Sequence, residues 1–269
     1  MTPSNGESSR PEREEYVEFW RGVGREFPSL KGARSTAYYR ECEIAVCRRF
    51  FPRLAGARVF KTDLWDEAKN TEILDWMADQ GAEVFGIDLS LPTVGAARRV
   101  IGARCQGLVR GDVRAIPFGD GSFDYVYSMG TVEHFPETTR AIAEIFRVLK
   151  PGGRAVLGVP NRLDPFARPL LARGLQTVGL YDYGDERSYT PGQLRRLARQ
   201  AGFRDVGLSG VLFFPGWLRM LELLAHTRGW SRTAGFCGAF VAPFRAAYRR
   251  WPGIRRHGYL LALGVERPA

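Results

Sequence analysis

Two periodicities of apolar residues follow one another along this chain. Residues 14–27 and 35–51 have the spacing of amphipathic helices. From Ala57 onwards, short β-rich runs alternate with helical ones. The predicted strands are 57–61, 83–88, 107–112, 123–129 and 153–160, and the predicted helices between them are 66–80, 92–103 and 137–149. This alternation predicts a parallel sheet with crossover helices.

The last third of the chain continues the pattern with one interruption. A helix is predicted over residues 191–202, and strands are predicted over 205–214 and 258–266, about forty residues apart. Ser90 and Thr190 each precede a proline, which is typical of a helix N-cap followed by proline in the first turn. We therefore expect an α/β domain over residues 57–269, preceded by a tail and helical cap over residues 1–56.

The positive charge is concentrated in residues 213–258, between the last two predicted strands. The chain carries a formal net charge of +10, but residues 58–160 are slightly acidic, whereas residues 213–258 hold eight arginines and one acidic residue. Nine aromatic residues accompany those arginines: Phe213, Phe214, Trp217, Trp230, Phe236, Phe240, Phe244, Tyr248 and Trp251. We expect either a helical lid over an acceptor pocket or an element resting on anionic lipid. Nucleic-acid binding is the third alternative, but no recognised RNA-binding module accompanies the segment.

Several protein classes are disfavoured by what the sequence contains. The four cysteines and three histidines have no spacing typical of a metal site or disulfide frame, so no metal is expected. No uncharged apolar run approaches the ~20 residues of a membrane span. Residues 1–15 lack the apolar core of a signal peptide, so we expect a cytoplasmic protein, with a peripheral position at a membrane as the alternative. No GxGxxG follows the first predicted strand, which argues against a dinucleotide dehydrogenase.

Acidic residues stand where the second and third predicted strands end. Ligands of open α/β sheets bind outside the carboxyl ends of the strands. The second strand ends in GIDLS, placing Asp88 where a carboxylate accepts hydrogen bonds from both hydroxyls of a ribose. The third ends in GDVRAIPF, placing Asp112 where an adenine amino group would lie. The fourth ends in SMGTVEHF, residues 128–135.

These runs resemble the signatures of class I S-adenosylmethionine-dependent methyltransferases, in the branch of small-molecule and quinone-biosynthesis enzymes. The matching runs are GxDxS from Gly86, GDxxxxPFxDxSFD from Gly111, VEHF from Val132 and LKPGG from Leu149, in family order. SYTP and AGF, later in the chain, match the family's closing helix. The resemblance implies S-adenosyl-L-methionine as methyl donor. It also implies a Rossmann-like seven-stranded sheet of order 3-2-1-4-5-7-6 with an antiparallel last strand, here with residues 213–258 as a helical insertion between strands 6 and 7.

The resemblance also implies where the donor and the acceptor bind. Asp88 and Leu89 would hold the ribose, Asp112 and Val113 the adenine, and Met129 would lie beside the methionine part of the donor. Fold-level analogy places the helical cap over the pocket. The acceptor would then contact Tyr38, Tyr39, Tyr189 and Trp217.

The first loop departs from the family pattern. Family members read V-L-D-x-G-x-G there, and the glycines let the backbone approach the donor's amino-acid part. In this chain Lys61 stands at the usual acid, and Asp63 and Trp65 stand at the two glycines. We hypothesise that Lys61 pairs with the donor's carboxylate while Asp63 or Glu67 takes its amine. The alternative is a catalytically silent methyltransferase-like binding protein that has lost the donor.

Methyl transfer itself makes limited demands on side chains. It is an in-line displacement, so alignment and exclusion of water supply much of the acceleration. A hydroxyl or phenol acceptor also benefits from a base, for which His134 is the first candidate and Glu133 the second. We expect methyl transfer to a small hydrophobic acceptor, at oxygen, with an RNA methyltransferase as a further alternative. The sequence does not identify the acceptor or the oligomeric state.

Overall fold

The computed structural model describes residues 10–177 and 186–269, and their centre is a seven-stranded sheet of order β3-β2-β1-β4-β5-β7-β6. The strands are β1 (Arg58–Lys61), β2 (Glu83–Asp88), β3 (Cys105–Arg110), β4 (Phe123–Met129), β5 (Leu149–Pro160), β6 (Arg204–Val211) and β7 (Leu260–Glu266). The first five strands pair in parallel, and β7 is antiparallel to both β5 and β6. The predicted strand order and the antiparallel last strand are confirmed.

Helices cover both faces of this sheet. They are α1 (Arg10–Glu26), α2 (Arg34–Phe50), α3 (Trp65–Lys69), α4 (Ile73–Asp79), α5 (Leu91–Ile101), α6 (Thr138–Val148), α7 (Arg168–Thr177), α8 (Pro191–Gln200), α9 (Gly216–Thr227), α10 (Ser231–Ala239) and α11 (Val241–Arg250). The predicted caps are present, because Ser90 accepts the Thr93 N–H and Thr190 forms a reciprocal pair with Gln193. Within the described ranges, no helix is long and apolar enough to cross a bilayer.

The single helix predicted over residues 66–80 is wrong. Helix α3 ends at Lys69 and α4 begins at Ile73, with Glu72 in the left-handed region at φ 55°. The Asn70 side chain donates to Asp66 Oδ1 at 2.8 Å, and Glu67 Oε1 accepts the Leu74 N–H at 2.8 Å. These side-chain bonds replace helical backbone bonds, and the break keeps Asp66 and Glu67 beside the end of β1.

Residues 213–258 form a helical insertion between β6 and β7, as predicted, and α9 of this insertion docks on α2. Ala33, which precedes α2, provides no side-chain cap. The buried Glu222 carboxylate instead accepts the N–H groups of Arg34 at 2.8 Å and Ser35 at 3.1 Å. A carboxylate at a helix N-terminus satisfies free donors and complements the helix dipole. This contact fixes α9 against the N-terminal helices.

Candidate active site

A pocket of about 210 Å³ opens at the carboxyl ends of β1 to β4, as expected for an open α/β sheet. Its floor consists of residues at or just after those strands: Thr62, Asp63, Asp88, Leu89, Asp112, Val113, Met129, Gly130 and Thr131. Tyr16, Trp20 and Val23 of α1 and Arg219 of α9 also line it. The pocket is therefore shaped by the helical cap and the insertion as well as by the sheet.

Nine residues proposed from the sequence line this pocket, and their individual roles stay predictions. They are Tyr39, Asp63, Asp88, Leu89, Asp112, Val113, Met129, Glu133 and His134. Five others lie outside the lining: Lys61, Glu67, Tyr38, Tyr189 and Trp217.

Lys61 lies outside the pocket lining, although the hypothesis from the sequence places it at the donor. Its side chain is fully buried, and Nζ lies 2.9 Å from Asp63 Oδ1, 3.0 Å from Asp66 Oδ2 and 3.3 Å from Glu67 Oε2. Burial lowers the pKa of Lys61, but the three carboxylates outweigh it, and the pKa stands well above its ordinary value. The ammonium group is therefore paired with carboxylates of the protein, and its pairing with the donor's carboxylate stays a prediction.

Two of the acids that pair with Lys61, Glu67 and Asp63, differ in their position relative to the pocket. Burial raises the pKa of Glu67 to about 7, with Lys61 opposing that rise. Glu67 is fully buried against α4 and lies outside the pocket lining, so its contact with the donor's amine stays a prediction. Asp63 does line the pocket, and its Oδ2 accepts a hydrogen bond from Thr131 at 3.1 Å. Burial raises the pKa of Asp63, and Lys61 opposes this.

Three aromatic residues predicted to contact the acceptor lie elsewhere. Tyr38 is buried between α2 and α11, and its hydroxyl donates to the Phe244 carbonyl at 3.4 Å. The Tyr189 hydroxyl is 3.1 Å from Thr138 Oγ1, at the junction with α6. Trp217 is 55% exposed, because it lies on the outer face of α9. Of the four predicted acceptor residues, only Tyr39 lies in the pocket.

Asp88 is held in place by backbone donors from two loops. Its Oδ2 accepts the Leu64 N–H at 3.0 Å, and its Oδ1 accepts the Ser90 N–H at 2.8 Å. Burial raises its pKa to about 6, while these two N–H groups oppose the rise. Each oxygen accepts one of these N–H groups, and a carboxylate oxygen has a further lone pair for a second donor.

Asp112 is anchored by Arg114. Arg114 Nη2 lies 2.8 Å from Asp112 Oδ2, and Arg114 Nη1 lies 3.0 Å from Glu137 Oε2. The guanidinium also lies over the rings of Tyr16 and Phe135, at 5.4 and 4.9 Å from their centroids. The carboxylate and the α1 aromatic ring are thus fixed at the same end of the pocket.

His134 and Glu133 follow β4 and meet α1. The His134 ring packs edge-on against Trp20 with centroids 4.9 Å apart, and its Nε2 is 3.9 Å from Glu133 Oε1. Glu133 is 2% exposed, and burial followed by the charge of Glu186 raises its pKa well above the ordinary value. Glu133 Oε2 has no hydrogen-bond partner among the described residues. These surroundings favour the protonated form of Glu133, which makes His134 the better candidate base.

Sequence reasoning placed the helical cap over the pocket but did not select Tyr16 and Trp20 of α1. Tyr16 and Trp20 are four residues apart and so share one helix face, which was the available signal. Gly24 brings this helix against the start of α5, because a Cβ there would lie 2.2 Å from Ser90 Oγ. The resulting close approach places Trp20 over His134.

The pocket also contains charged residues that sequence reasoning did not select. Arg168 Nη2 forms an ion pair with Glu186 Oε2 at 2.6 Å, and its guanidinium lies 4.2 Å from the centroid of Tyr259. The lining as a whole holds six carboxylates and two arginines: Asp63, Asp66, Asp88, Asp112, Glu133 and Glu186, with Arg168 and Arg219. Lys61, Arg114 and Arg168 pair with four of these carboxylates, whereas Asp88 is held by backbone N–H groups and by no cation among the described residues.

Comparison with known proteins gives consistent matches. A family model described as a methyltransferase domain matches residues 68–157. The ubiquinone biosynthesis O-methyltransferase of Xanthomonas euvesicatoria pv. vesicatoria is 32% identical over 186 residues, covering 65% of this chain and 73% of that protein. The ubiquinone/menaquinone biosynthesis C-methyltransferase of Methylobacterium nodulans is 29% identical over 230 residues, covering 74% of this chain and 89% of that protein.

A solved structure has the same fold. The 1,6-didemethyltoxoflavin-N1-methyltransferase of Burkholderia thailandensis, solved with 1,6-didemethyltoxoflavin and S-adenosylhomocysteine, aligns with a TM-score of 0.57 and 17% identity. The alignment covers 99% of this chain and 94% of that one. The names of these three proteins specify transfer to oxygen, carbon and nitrogen, so the similarity does not define the atom that is methylated.

Proposed function

Because this chain belongs to the S-adenosylmethionine-dependent methyltransferases, we propose that it methylates an oxygen atom of a small hydrophobic acceptor. The donor supplies an electrophilic methyl group on a sulfonium cation. Asp88 would accept the ribose hydroxyls, Asp112 and Val113 would contact the adenine, and Asp63 would accept the amine.

The observation that carries the choice of oxygen is the position of His134. Its imidazole lines the pocket beside the buried Glu133 and beneath Trp20. An imidazole in that position can take the proton of a phenol or hydroxyl during methyl transfer. The lining also includes apolar and aromatic side chains, which suit a hydrophobic acceptor: Trp20, Leu212, Tyr259 and Leu260. Helices α1 and α9 line the same space and would limit the access of water.

Transfer of labelled methyl groups to a panel of phenols and quinols tests the acceptor class. We expect methyl ethers among the products. Labelling confined to amines or carbon nucleophiles would contradict O-methylation while leaving the methyltransferase assignment intact.

Donor binding gives the first quantitative prediction. We expect calorimetry to show S-adenosylhomocysteine binding to the protein, and Asp88→Asn to weaken it about 30-fold, because two charge-assisted hydrogen bonds to the ribose become neutral ones. Asp120→Asn is the matched control, since its side chain is 77% exposed and pairs with Arg147 outside the pocket. An Asp88→Asn affinity within threefold of the original would remove Asp88 from the ribose site.

We further propose that the insertion rests on an anionic lipid surface, from which a lipophilic acceptor is taken. Seven of its large apolar side chains are exposed: Trp217, Leu221, Leu224, Trp230, Phe236, Phe240 and Trp251. The first three are spaced by four and three residues and so share one face of α9. The same insertion carries exposed arginines, among them Arg228, Arg232 and Arg249. Aromatic and aliphatic groups bordered by arginines suit the interface of an anionic bilayer.

Vesicle co-sedimentation tests the lipid surface. We expect binding to phosphatidylserine-containing vesicles and none to neutral phosphatidylcholine vesicles, with partitioning reduced about tenfold when Trp217, Leu221 and Leu224 are all replaced by serine. The matched control replaces Leu91, Leu163 and Leu170, which are at least as exposed as the three test residues but lie outside the insertion. Equal sedimentation of both triple variants, or no binding of the original protein, would contradict the proposal.

A further inference from the structure

Arg219 is a buried cation that lines the pocket from the insertion. It is 7% exposed, its Nη1 donates to the Ser35 carbonyl at 3.0 Å, and its guanidinium lies 5.2 Å from the centroid of the Tyr39 ring. No carboxylate among the described residues forms an ion pair with it, and its Nε and Nη2 have no hydrogen-bond partner there. Most of its hydrogen-bonding capacity is therefore unused.

The other buried cations around the pocket are all paired. Arg168 pairs with Glu186, Arg114 with Asp112 and Glu137, and Lys61 with three carboxylates. Removing a guanidinium from water without an anionic partner is costly, so such groups are normally paired. The geometry of Arg219 thus predicts that an anion completes its environment in the bound state.

We infer that Arg219 binds a carboxylate in this pocket, an inference that rests on the proposed function. Guanidinium matches the planar geometry of a carboxylate with two parallel hydrogen bonds. Two sources of that group are compatible with the site: the amino-acid part of the methyl donor and a carboxylate on the acceptor. Tyr39, which contacts Arg219, is buried near Asp63 and Asp66, at the end of the pocket where the donor's amine is expected.

The position of Arg219 is built into the packing of the insertion. One turn later on α9, Glu222 caps α2, while Arg219 binds the Ser35 carbonyl of the same helix. Leu212 lies in the pocket lining, at the point where the chain leaves β6 for the insertion. Its φ of 60° is an unfavourable backbone conformation for leucine. These features hold the guanidinium against the pocket.

This arrangement accounts for the unusual first loop. Lys61 forms ion pairs with Asp63, Asp66 and Glu67, so its charge is already balanced by carboxylates of the first loop and α3. The charge that a carboxylate needs comes instead from α9, about 160 residues later in the chain. The basic insertion would then contribute directly to ligand binding.

Calorimetry with two adenosine thioethers tests the inference. S-adenosylhomocysteine carries the carboxylate and the amine, whereas 5′-methylthioadenosine carries neither. If the carboxylate is the donor's, Arg219→Met should weaken S-adenosylhomocysteine about 10- to 100-fold and leave 5′-methylthioadenosine unchanged. Arg219→Lys should recover part of the affinity, because lysine keeps the positive charge but lacks the planar guanidinium that makes two parallel hydrogen bonds. Arg232→Met, on the exposed face of α10, is the control and should change neither ligand.

A third probe identifies the other source. If the carboxylate is the acceptor's, Arg219→Met should leave S-adenosylhomocysteine unchanged but abolish the preference for 4-hydroxybenzoate over phenol in binding to the S-adenosylhomocysteine complex. Equal weakening of both adenosine ligands, or no change with any probe, would overturn the inference. Failure of the original protein to bind either adenosine ligand would instead contradict the proposed function.

Discussion

Replacing Lys61 with methionine is expected to lower the free energy of unfolding by about 3–5 kcal/mol at pH 8, as measured by urea denaturation. Methionine fills a similar volume but removes the cation that forms ion pairs with Asp63, Asp66 and Glu67; the described residues provide no other ion pair for these carboxylates. The remaining carboxylates would face one another in a buried site. Loss of one partner leaves the charges of the others uncompensated, which is the costly case for buried ion pairs.

The deficit of Lys61→Met should shrink as the pH falls. Burial already raises the pKa of Glu67 to about 7, above the ~4.3 of an exposed glutamate, and removal of Lys61 raises it further. Between those two values the folded state binds more protons than the unfolded state, so stability increases as the pH is lowered. The difference between the variant and the original protein should therefore be smaller at pH 5 than at pH 8.

The matched control is Lys150→Met. Lys150 also pairs with an aspartate, Asp124 at 2.7 Å, but the two side chains are 41% and 34% exposed. An exposed pair contributes about 1 kcal/mol or less, so this variant should unfold almost like the original protein. The interpretation is contradicted if Lys61→Met lowers the free energy of unfolding no more than Lys150→Met does, at every pH tested. Lys61 would then not be needed to balance the buried carboxylates.

The sheet and the acidic residues at the ends of β2 and β3 could be predicted because their sequence signals are local. Each acidic residue at a strand end lies within a few residues of the strand that positions it, as Asp88 does at β2 and Asp112 after β3. Alternation of strands and helices, with the family resemblance, was sufficient for the sheet order. The capping sequences at Ser90 and Thr190 are equally local.

The errors concern side chains whose partners are set by tertiary packing. The sequence placed Lys61 at a ligand-binding position, but the direction of its ammonium depends on the break between α3 and α4, which brings Asp66 and Glu67 beside it. Trp217 and Arg219 lie on the same helix two residues apart, yet one faces outward and the other faces the pocket. The docking of Glu222 on α2 holds α9 in the orientation in which Arg219 lines the pocket.

His134→Ala is expected to lower kcat for a phenolic acceptor by about 10²- to 10⁴-fold at pH 7, the usual contribution of a general base. The affinity for S-adenosylhomocysteine should stay within a few-fold of the original. A phenol loses its own proton near pH 10, so the rate of the variant should rise about tenfold per pH unit towards that value. The original protein, which has the imidazole, should show a much shallower rise over the same range.

The same variant separates a base from a packing residue. The His134 ring contacts Trp20 of α1, so its loss could slow transfer by loosening the cover of the pocket. Such loosening would affect every acceptor equally and at every pH, whereas loss of a base affects only acceptors that still carry a proton. A nitrophenol that is already ionised at neutral pH should therefore be methylated at nearly the same rate by the original protein and by His134→Ala. An equal loss of kcat for the phenol and the nitrophenol would assign His134 a packing role only.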